Sequence, residues 1–168
     1  MSENIVGNSR FNSKPPYTAT MPGSTAQEYL DTTFAQRLDS RVLSQIKTVK
    51  IPYYGNGTTN RLENGYSTQL FLLSAVEMGV PPITGAIPVD GSVLAYFVYG
   101  NSEGASKRML SSKYWTRTTD TYNNYSMVVI GENGRYTVQT TSTGGNGIRP
   151  AFILPYNTQI DSSNNIVV

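Results

Sequence analysis

The segment 119–125 (TDTYNNY) carries the side chains of this sequence that are best suited to chemistry. Tyr122 and Tyr125 each offer a flat apolar ring with a hydroxyl at its tip. Short side chains with hydrogen-bonding groups accompany them: Asp120, Asn123 and Asn124. Amphipathic rings beside small amides are typical of adaptable binding loops, so this segment predicts non-covalent recognition. An ordinary solvated loop is the alternative interpretation.

Other polar residues of the C-terminal third are expected to extend the same surface. Arg135 and Tyr136 begin a predicted strand, and the segment 140–146 (TTSTGGN) ends at Asn146. A guanidinium, a phenol and short polar side chains add donors and acceptors for a polar ligand. The predicted ligand-binding residues are Asp120, Tyr122, Asn123, Asn124, Tyr125, Arg135, Tyr136 and Asn146.

Catalytic and metal-binding chemistry finds little support in the composition. The chain has no cysteine and no histidine, which excludes thiolate nucleophiles, histidine-dependent triads and zinc sites built on those residues. Hydrolysis by paired carboxylates is not indicated either, because the acidic residues are scattered. Those considered are Glu63, Glu77, Asp90, Glu103, Asp120 and Glu132. The spacing of oxygen ligands that calcium requires is also absent. We therefore predict a protein that is not an enzyme and that has no metal and no cofactor.

Four residues are predicted to be structural. Phe71 lies in a short apolar run, and Trp115 is the one tryptophan, for which core packing is a better explanation than exposed stacking on a sugar. Arg117 and Arg149 lie inside predicted strands, where a guanidinium can donate to loop carbonyls. The alternative for both arginines is contact with a carboxylate-bearing sugar.

The size and charge of the chain limit its partners. At 168 residues it fits one domain, and its net charge of +2 gives no electrostatic reason to expect nucleic acid or anionic lipid. No apolar run approaches the roughly 18–20 residues of a membrane span, and residues 1–10 lack one of signal-peptide length. We expect neither nucleic acid as a partner nor insertion into a membrane.

The elements that must position these residues begin with a helix. Apolar side chains recur every fourth residue over 25–47, so one helix, or two short helices meeting near residue 32 or 39, is predicted there. A strand over 48–54 and a loop over 55–65 follow. A second strand covers 69–73, and Ser74 with Glu77 then forms a capping box. The apolar segment 92–99 is compatible with a helix or a strand.

The C-terminal third has a clearer pattern. A strand is predicted over 114–118, followed by a hairpin whose strands are 126–130 and 135–140. A polar loop over 141–147 then leads to a buried strand at 148–154. Short strands, two small helices and long loops together predict an α+β domain.

Six segments occur in a recognisable order along the chain: 29–34, 46–53, 71–74 with Glu77, 107–108, 114–118 and 147–151. Together they resemble a family of uncharacterised domains found in Gram-positive gut bacteria and their phages. The family is related to the C-type-lectin-like fold of the formylglycine-generating enzymes. In two respects the chain departs from it: many members have leucine in place of Thr116, and many have strands ahead of the segment matching 8–12. The sheet is then either minimal or completed by another chain.

The resemblance implies a C-type-lectin-like fold, with a small twisted antiparallel sheet, two short helices and long loops. The predicted organisation is an irregular lead-in over 1–23, indicated by its prolines and small polar residues, then the domain over 24–157 and a tail over 158–168. It further implies a phage virion or bacterial-surface module that binds a host glycan or protein, contacts other virion or surface proteins and forms a homo-oligomer, with a trimer favoured. The alternative is a purely structural virion subunit that contacts only its neighbours.

Overall fold

The computed structural model of the protein describes residues 5–55, 65–97, 102–163 and 166–167. Its α-helices are α1 (Thr25–Tyr29), α2 (Ser40–Gln45) and α3 (Ser102–Arg108). Its strands are β1 (Asn8–Ser9), β2 (Val49–Ile51), β3 (Tyr66–Thr68), β4 (Phe71–Leu72), β5 (Tyr114–Thr119), β6 (Ser126–Ile130), β7 (Tyr136–Thr140), β8 (Asn146–Gly147), β9 (Pro150–Ala151), β10 (Gln159–Ile160) and β11 (Ile166–Val167). Helices and small sheets are mixed along the chain, so the fold is α+β.

The predicted N-terminal helix divides into two segments. Ser24 caps α1 by accepting a hydrogen bond from the N–H three residues later. The helix continues as a π-helical turn at Leu30–Phe34 and a 3-10 turn at Ala35–Arg37. Leu38 is extended, and the Asp39 carboxylate caps α2. The sequence was compatible with one helix or with two, and the structure has two. The second helix begins after Asp39 because this short side chain accepts a hydrogen bond from an N–H of its first turn.

The main sheet has the order β1-β8-β5-β6-β7. The predicted hairpin is confirmed, since β6 pairs with β7 along its whole length and the Gly131 N–H closes the turn on the Arg135 carbonyl at 2.7 Å. The sheet is not wholly antiparallel as expected, because β8 runs parallel to β5 where Gly147 meets Tyr114. After β7 the chain crosses to the other side of β5, where it forms β8.

Both faces of the main sheet are buried along β5 and β6, whereas the edge strand β7 is largely exposed. Along β6, Met127 and Val129 belong to one apolar cluster, while Val128 and Ile130 belong to a second. This separation follows from the period of two along a strand, which sends successive side chains to opposite faces. The first cluster includes α1 and the residues before it, and the second includes much of the segment 71–97. The sheet is therefore a central layer.

The lead-in is part of this core. Residues 5–23 are irregular as expected, apart from β1, but they pack into the domain rather than ahead of a domain that begins at residue 24. Phe11, Ala19 and Met21 have no exposed surface, and β1 pairs with β8. The Phe11 ring packs edge-on against Trp115, with 5.6 Å between the ring centroids. Apolar side chains too widely spaced to show a period in sequence still pack when tertiary structure brings them together.

Short ribbons complete the fold. β2 pairs with β3, which confirms a strand within 48–54 at Val49–Ile51. The buried strand expected over 148–154 is largely wrong, because only Pro150–Ala151 pairs, with β4. The tail forms a ribbon of β10 and β11.

Two further segments differ from expectation. α3 was not predicted, because Gly104 and polar neighbours give residues 102–108 no apolar period. Residues 92–97 form neither helix nor strand. The last two residues of the segment 92–99, and most of the loop predicted over 55–65, lie outside the described residues.

Candidate binding surface

Loops from distant parts of the chain meet at the end of the main sheet where β5 ends and β6 begins. Its exposed tyrosines are Tyr17, Tyr122 and Tyr125, whose exposed fractions are 38%, 76% and 51%. We call the surface formed by Tyr17, Tyr122, Asn124 and Tyr125 the tyrosine end. Backbone hydrogen bonds hold the loops together: Ala19 N–H to the Asn124 carbonyl at 2.8 Å, Thr121 N–H to Ala86 at 3.0 Å, and Thr141 N–H to Tyr125 at 2.8 Å.

Asp120 holds the loop in shape from within. It is buried, and its carboxylate accepts the Tyr122 N–H at 3.1 Å and the Asn123 side-chain amide at 3.0 Å. The Asn123 oxygen then accepts the Tyr125 N–H at 3.1 Å. Asp120 and Asn123 thus replace regular backbone pairing by turns built on short side chains. Asp120 is a positioning residue for the exposed rings.

Tyr17 is held in an unusual backbone conformation. Its φ of +56° lies in the left-handed region, which is uncommon for a bulky residue. The Thr141 hydroxyl donates a hydrogen bond to its carbonyl, and the Tyr17 N–H donates to the Lys14 carbonyl at 2.8 Å. Residues in such conformations persist only where their surroundings fix them, and they concentrate at functional sites.

A buried network of charged groups lies next to the tyrosine end. It is centred on Arg117 of β5, which has no exposed surface. Its guanidinium forms a two-pronged ion pair with Glu77, with N–O distances of 2.5 and 2.6 Å. The remaining N–H groups donate to the carbonyls of Pro52, Leu72 and Asp90 at 2.9, 2.9 and 3.0 Å. All five guanidinium donors are satisfied, so Arg117 joins three segments of the chain to the central strand.

Two carboxyl groups meet this network. Glu77 completes its capping box with Ser74, since each residue's N–H donates to the other's side chain, at 2.9 and 3.0 Å. The Asp90 carboxylate accepts the Thr118 hydroxyl at 2.7 Å. Burial raises the pKa of Asp90 from 3.8 to about 6, opposed by the charge of Arg117 and by hydrogen bonds from Thr118 and Ser74. Glu77 and Asp90 come together through Arg117 and Thr118 of β5. The spacing of the two acids in the sequence does not predict this contact.

An apolar groove of about 700 Å³ lies beside the network. Aliphatic and aromatic residues of β2, β4, β9 and the terminal ribbon line it, including Ile51, Phe71, Ile160 and Ile166. Among its described lining residues Glu77 is the one acid, and its oxygens are bound to Arg117. Asp90 is fully buried outside the lining. The arrangement of two accessible carboxyl groups used in glycoside hydrolysis is therefore not formed here.

Three predicted ligand-binding residues lie away from the tyrosine end, which corrects the expected extension of that surface. Arg135 and Tyr136 are exposed but lie at the opposite end of the hairpin, where Tyr136 pairs with Ile130. Asn146 is buried in β8, and its amide donates to Gln139 at 2.6 Å. Hairpin geometry separates the two ends of β7 by its full length, and β8 pairing covers Asn146.

The residues predicted to be structural occupy buried positions. Trp115 lies in the first cluster, and its indole N–H donates to the Ser9 carbonyl at 2.9 Å. Phe71 lies in the second cluster. Arg117 forms the network described above. Arg149 stacks on Tyr114, with 5.3 Å between its guanidinium carbon and the ring centroid, and donates to the tyrosine hydroxyl at 3.0 Å.

Sequence reasoning missed Tyr17 at the tyrosine end and Tyr96, an exposed ring near Arg149. Tyr17 follows two prolines in a segment without periodicity, so only its residue type was a signal.

Within the part of the chain that the structure describes, no group of acidic residues could hold a metal ion. None of the described helices is long and apolar enough to cross a bilayer.

The family model for a domain of unknown function, DUF6273, matches residues 1–156. The chain belongs to the DUF6273 family. No curated protein and no solved structure matches it. The DUF6273 match begins ahead of β1 and ends after β9, so it includes the lead-in, the Arg117 network and every loop of the tyrosine end. The ribbon of β10 and β11 lies beyond it.

Proposed function

We propose that this DUF6273 domain is a non-enzymatic recognition module that binds a host surface glycan or protein through the tyrosine end. The observation that carries the proposal is the set of exposed tyrosines on loops joined by backbone hydrogen bonds. Tyrosine supplies a large contact area at low cost in side-chain entropy. Loops already fixed before binding lose less entropy when a partner docks.

The finer features of the proposal are a C-type-lectin-like fold and a place on a phage particle or bacterial surface. In support, a small sheet whose strands β5 and β6 are buried on both faces displays loops at one end. A surface of a few rings binds weakly by itself, so we propose a homo-oligomer, a trimer by preference, in which several copies bind together.

A purely structural virion subunit is the second candidate, and the apolar groove favours it. Ile153 and Ile160 at the groove are substantially exposed, and a neighbouring subunit would bury them. The two candidates place the contact on different surfaces: the tyrosine end for receptor binding, and the groove for assembly.

Binding of the labelled chain to intact bacterial cells and to a glycan array tests the proposal. We expect Tyr122→Ala with Tyr125→Ala to reduce binding at least about tenfold without changing the melting temperature, because hot-spot aromatics carry most of such a contact. Tyr156→Ala is the control, since that tyrosine is 100% exposed and lies after β9, outside the tyrosine end. Equal binding by the double variant and the control contradicts the proposal. If the double variant still binds to cells but no longer assembles into particles, the structural candidate is favoured.

A further inference from the structure

A second concave site lies at the other end of β5 from the tyrosine end. Its volume is about 470 Å³, which is within the roughly 300–1,000 Å³ range of small-molecule sites. We call it the basic pocket, and its lining residues are Tyr96, Ser106, Lys107, Met109, Leu110, Ser111 and Arg149. α3 supplies one wall, and Arg149, which follows β8, lies at the other.

Arg149 differs from Arg117 in how its guanidinium is used. Its carbon lies 5.3 Å from the ring centroid of Tyr114 and 5.8 Å from that of Phe97, so aromatic faces orient it. Among the described residues, the guanidinium of Arg149 donates one hydrogen bond, to the Tyr114 hydroxyl. A guanidinium has five donors, and this one also borders a pocket. The planar fork is therefore oriented by packing and retains donor capacity for a ligand.

Within the described residues, the positive charges around the pocket have no carboxylate partner. In the described ranges the ion pairs are Lys14–Glu28, Arg41–Asp39 and Arg117–Glu77, and none includes Lys107, Arg108 or Arg149. Arg108 is buried and donates to the neutral carbonyls of Gly134 and Met78 at 2.8 and 3.0 Å. Burial of a cation without a counter-charge is costly, and an anion bound nearby offsets that cost.

An aromatic wall and a hydroxyl accompany these charges. The Tyr96 ring is 49% exposed, and the Phe97 ring packs on it edge to face at 5.0 Å between centroids. The Lys107 ammonium lies 5.5 Å from the centroid of the Tyr96 ring. Ser111 adds a hydroxyl at the rim. A free inorganic anion uses only the charges, whereas a sugar ring with an acidic substituent also uses the ring face and the hydroxyl.

We propose that the basic pocket binds a carboxylate-bearing sugar. The carboxylate lies against the Arg149 fork and the Lys107 ammonium, and the sugar ring packs on Tyr96. Guanidinium and carboxylate match in two-pronged geometry, which gives direction as well as strength to the contact. The site lies at the opposite end of β5 from the tyrosine end, so this proposal and the proposed function fail or succeed separately.

Calorimetric titration of the full chain with a panel of methyl glycosides tests the proposal. The acidic members are the glycosides of glucuronate, galacturonate and N-acetylneuraminate; the comparators are methyl glucoside, methyl galactoside and acetate. We expect at least one acidic glycoside to bind at least about tenfold more tightly than every comparator, because a hydrogen-bonded charge contact is worth about that factor. Absence of binding by all three acidic glycosides, or equal binding by acetate or a neutral glycoside, overturns the proposal.

Variants locate the binding. Lys107→Gln and Tyr96→Leu change partly exposed side chains and are expected to weaken the acidic glycoside at least about tenfold. Arg149→Lys keeps the charge but loses the fork, and is expected to weaken it as well. Lys113→Gln is the matched control, because this exposed lysine lies ahead of β5 and outside the pocket lining. Equal weakening by Lys113→Gln and Lys107→Gln indicates a non-specific charge effect and overturns the proposal.

Discussion

Arg117 shows how one residue can replace many regular hydrogen bonds. Its guanidinium donates to carbonyls of three separate segments and forms an ion pair with Glu77 in the interior. The fold has long stretches outside helices and strands, whose carbonyls still need partners. A fully bonded arginine meets that need, and it fixes the loops beside β5 relative to the central strand.

Removing this guanidinium leaves the Glu77 carboxylate largely buried and without a counter-charge. Arg117→Met is expected to lower the free energy of unfolding by about 3–5 kcal/mol. Arg117→Met with Glu77→Leu is expected to be more stable than the single variant, because no lone charge remains. Urea unfolding measures both. Arg41→Met, which removes an exposed ion pair with Asp39, is the control and should change stability little. A double variant less stable than Arg117→Met contradicts this account.

Asp90 is expected to make stability depend on pH. Its folded-state pKa of about 6 lies above the ordinary value of 3.8, so the folded chain keeps a proton that the unfolded chain has already released. The stabilising contribution is therefore complete below about pH 4 and is lost as the pH rises to about 6.

Asp90→Asn removes this titration and keeps an oxygen that can accept the Thr118 hydroxyl. The melting temperature of the natural chain minus that of the variant should fall between pH 4 and pH 7. Thermal unfolding at several pH values measures the difference. A difference that stays constant across this range contradicts the assignment of the titration to Asp90.

At the scale of elements, the hairpin of β6 and β7 is tied to α3. The Arg108 side chain donates to the Gly134 carbonyl in the hairpin turn, and the backbone of Gly134 lies against Ala105. Gly134 has a φ of +71° and no room for a side chain, since a Cβ there would lie 1.9 Å from the Ala105 carbonyl oxygen. The helix that sequence periodicity did not show is thus positioned by a glycine in the turn.

Gly134→Ala should disrupt the contact between the hairpin turn and α3. The added methyl group would meet the backbone of Ala105 rather than a movable side chain, and the φ of residue 134 is unfavourable for alanine. We therefore expect the free energy of unfolding to fall by about 2 kcal/mol or more. Gly144→Ala is the control, because nothing lies within 4 Å of its added Cβ and its φ is ordinary. Chemical denaturation of both variants measures the effect. Equal stability of the two variants contradicts the proposed contact.

At the scale of the whole molecule, β5 and β6 are the buried centre of the main sheet, and a different surface lies at each end of β5. The tyrosine end presents neutral rings and amides, whereas the basic pocket presents cations. The lead-in covers one face of the sheet and supplies Tyr17 to the tyrosine end. Removing the lead-in therefore affects folding and the proposed binding surface together.

Deletion of residues 1–23 is expected to abolish cooperative unfolding. The deletion removes Phe11, Ala19 and Met21, which have no exposed surface, and the loss of about 2–5 kcal/mol for each large buried side chain is comparable with the roughly 5–15 kcal/mol stability of a typical domain. Deletion of residues 158–168, which include β10 and β11, is the control and should leave a cooperative transition. Calorimetry distinguishes the two. A cooperative transition in the first deletion contradicts the place of the lead-in in the core.

The sequence predicted what depends on near neighbours in the chain. The hairpin of β6 and β7 follows from a period of two on either side of a glycine-rich turn, and the Ser74–Glu77 capping box from a spacing of three residues. The α+β class follows from the mixture of such signals. Composition alone, through the absence of histidine and cysteine, excluded whole classes of chemistry.

Only the tertiary structure decided which distant residues meet. It brought Tyr17 to the same end of the sheet as Tyr122, joined Glu77 and Asp90 through Arg117, and moved Arg135 and Asn146 away from the tyrosine end. It also formed the basic pocket from Tyr96, Lys107 and Arg149, which no short spacing relates. The reason is physical: local periodicity records which face of an element is apolar, but the order of strands and the path of loops depend on packing between segments far apart in the chain.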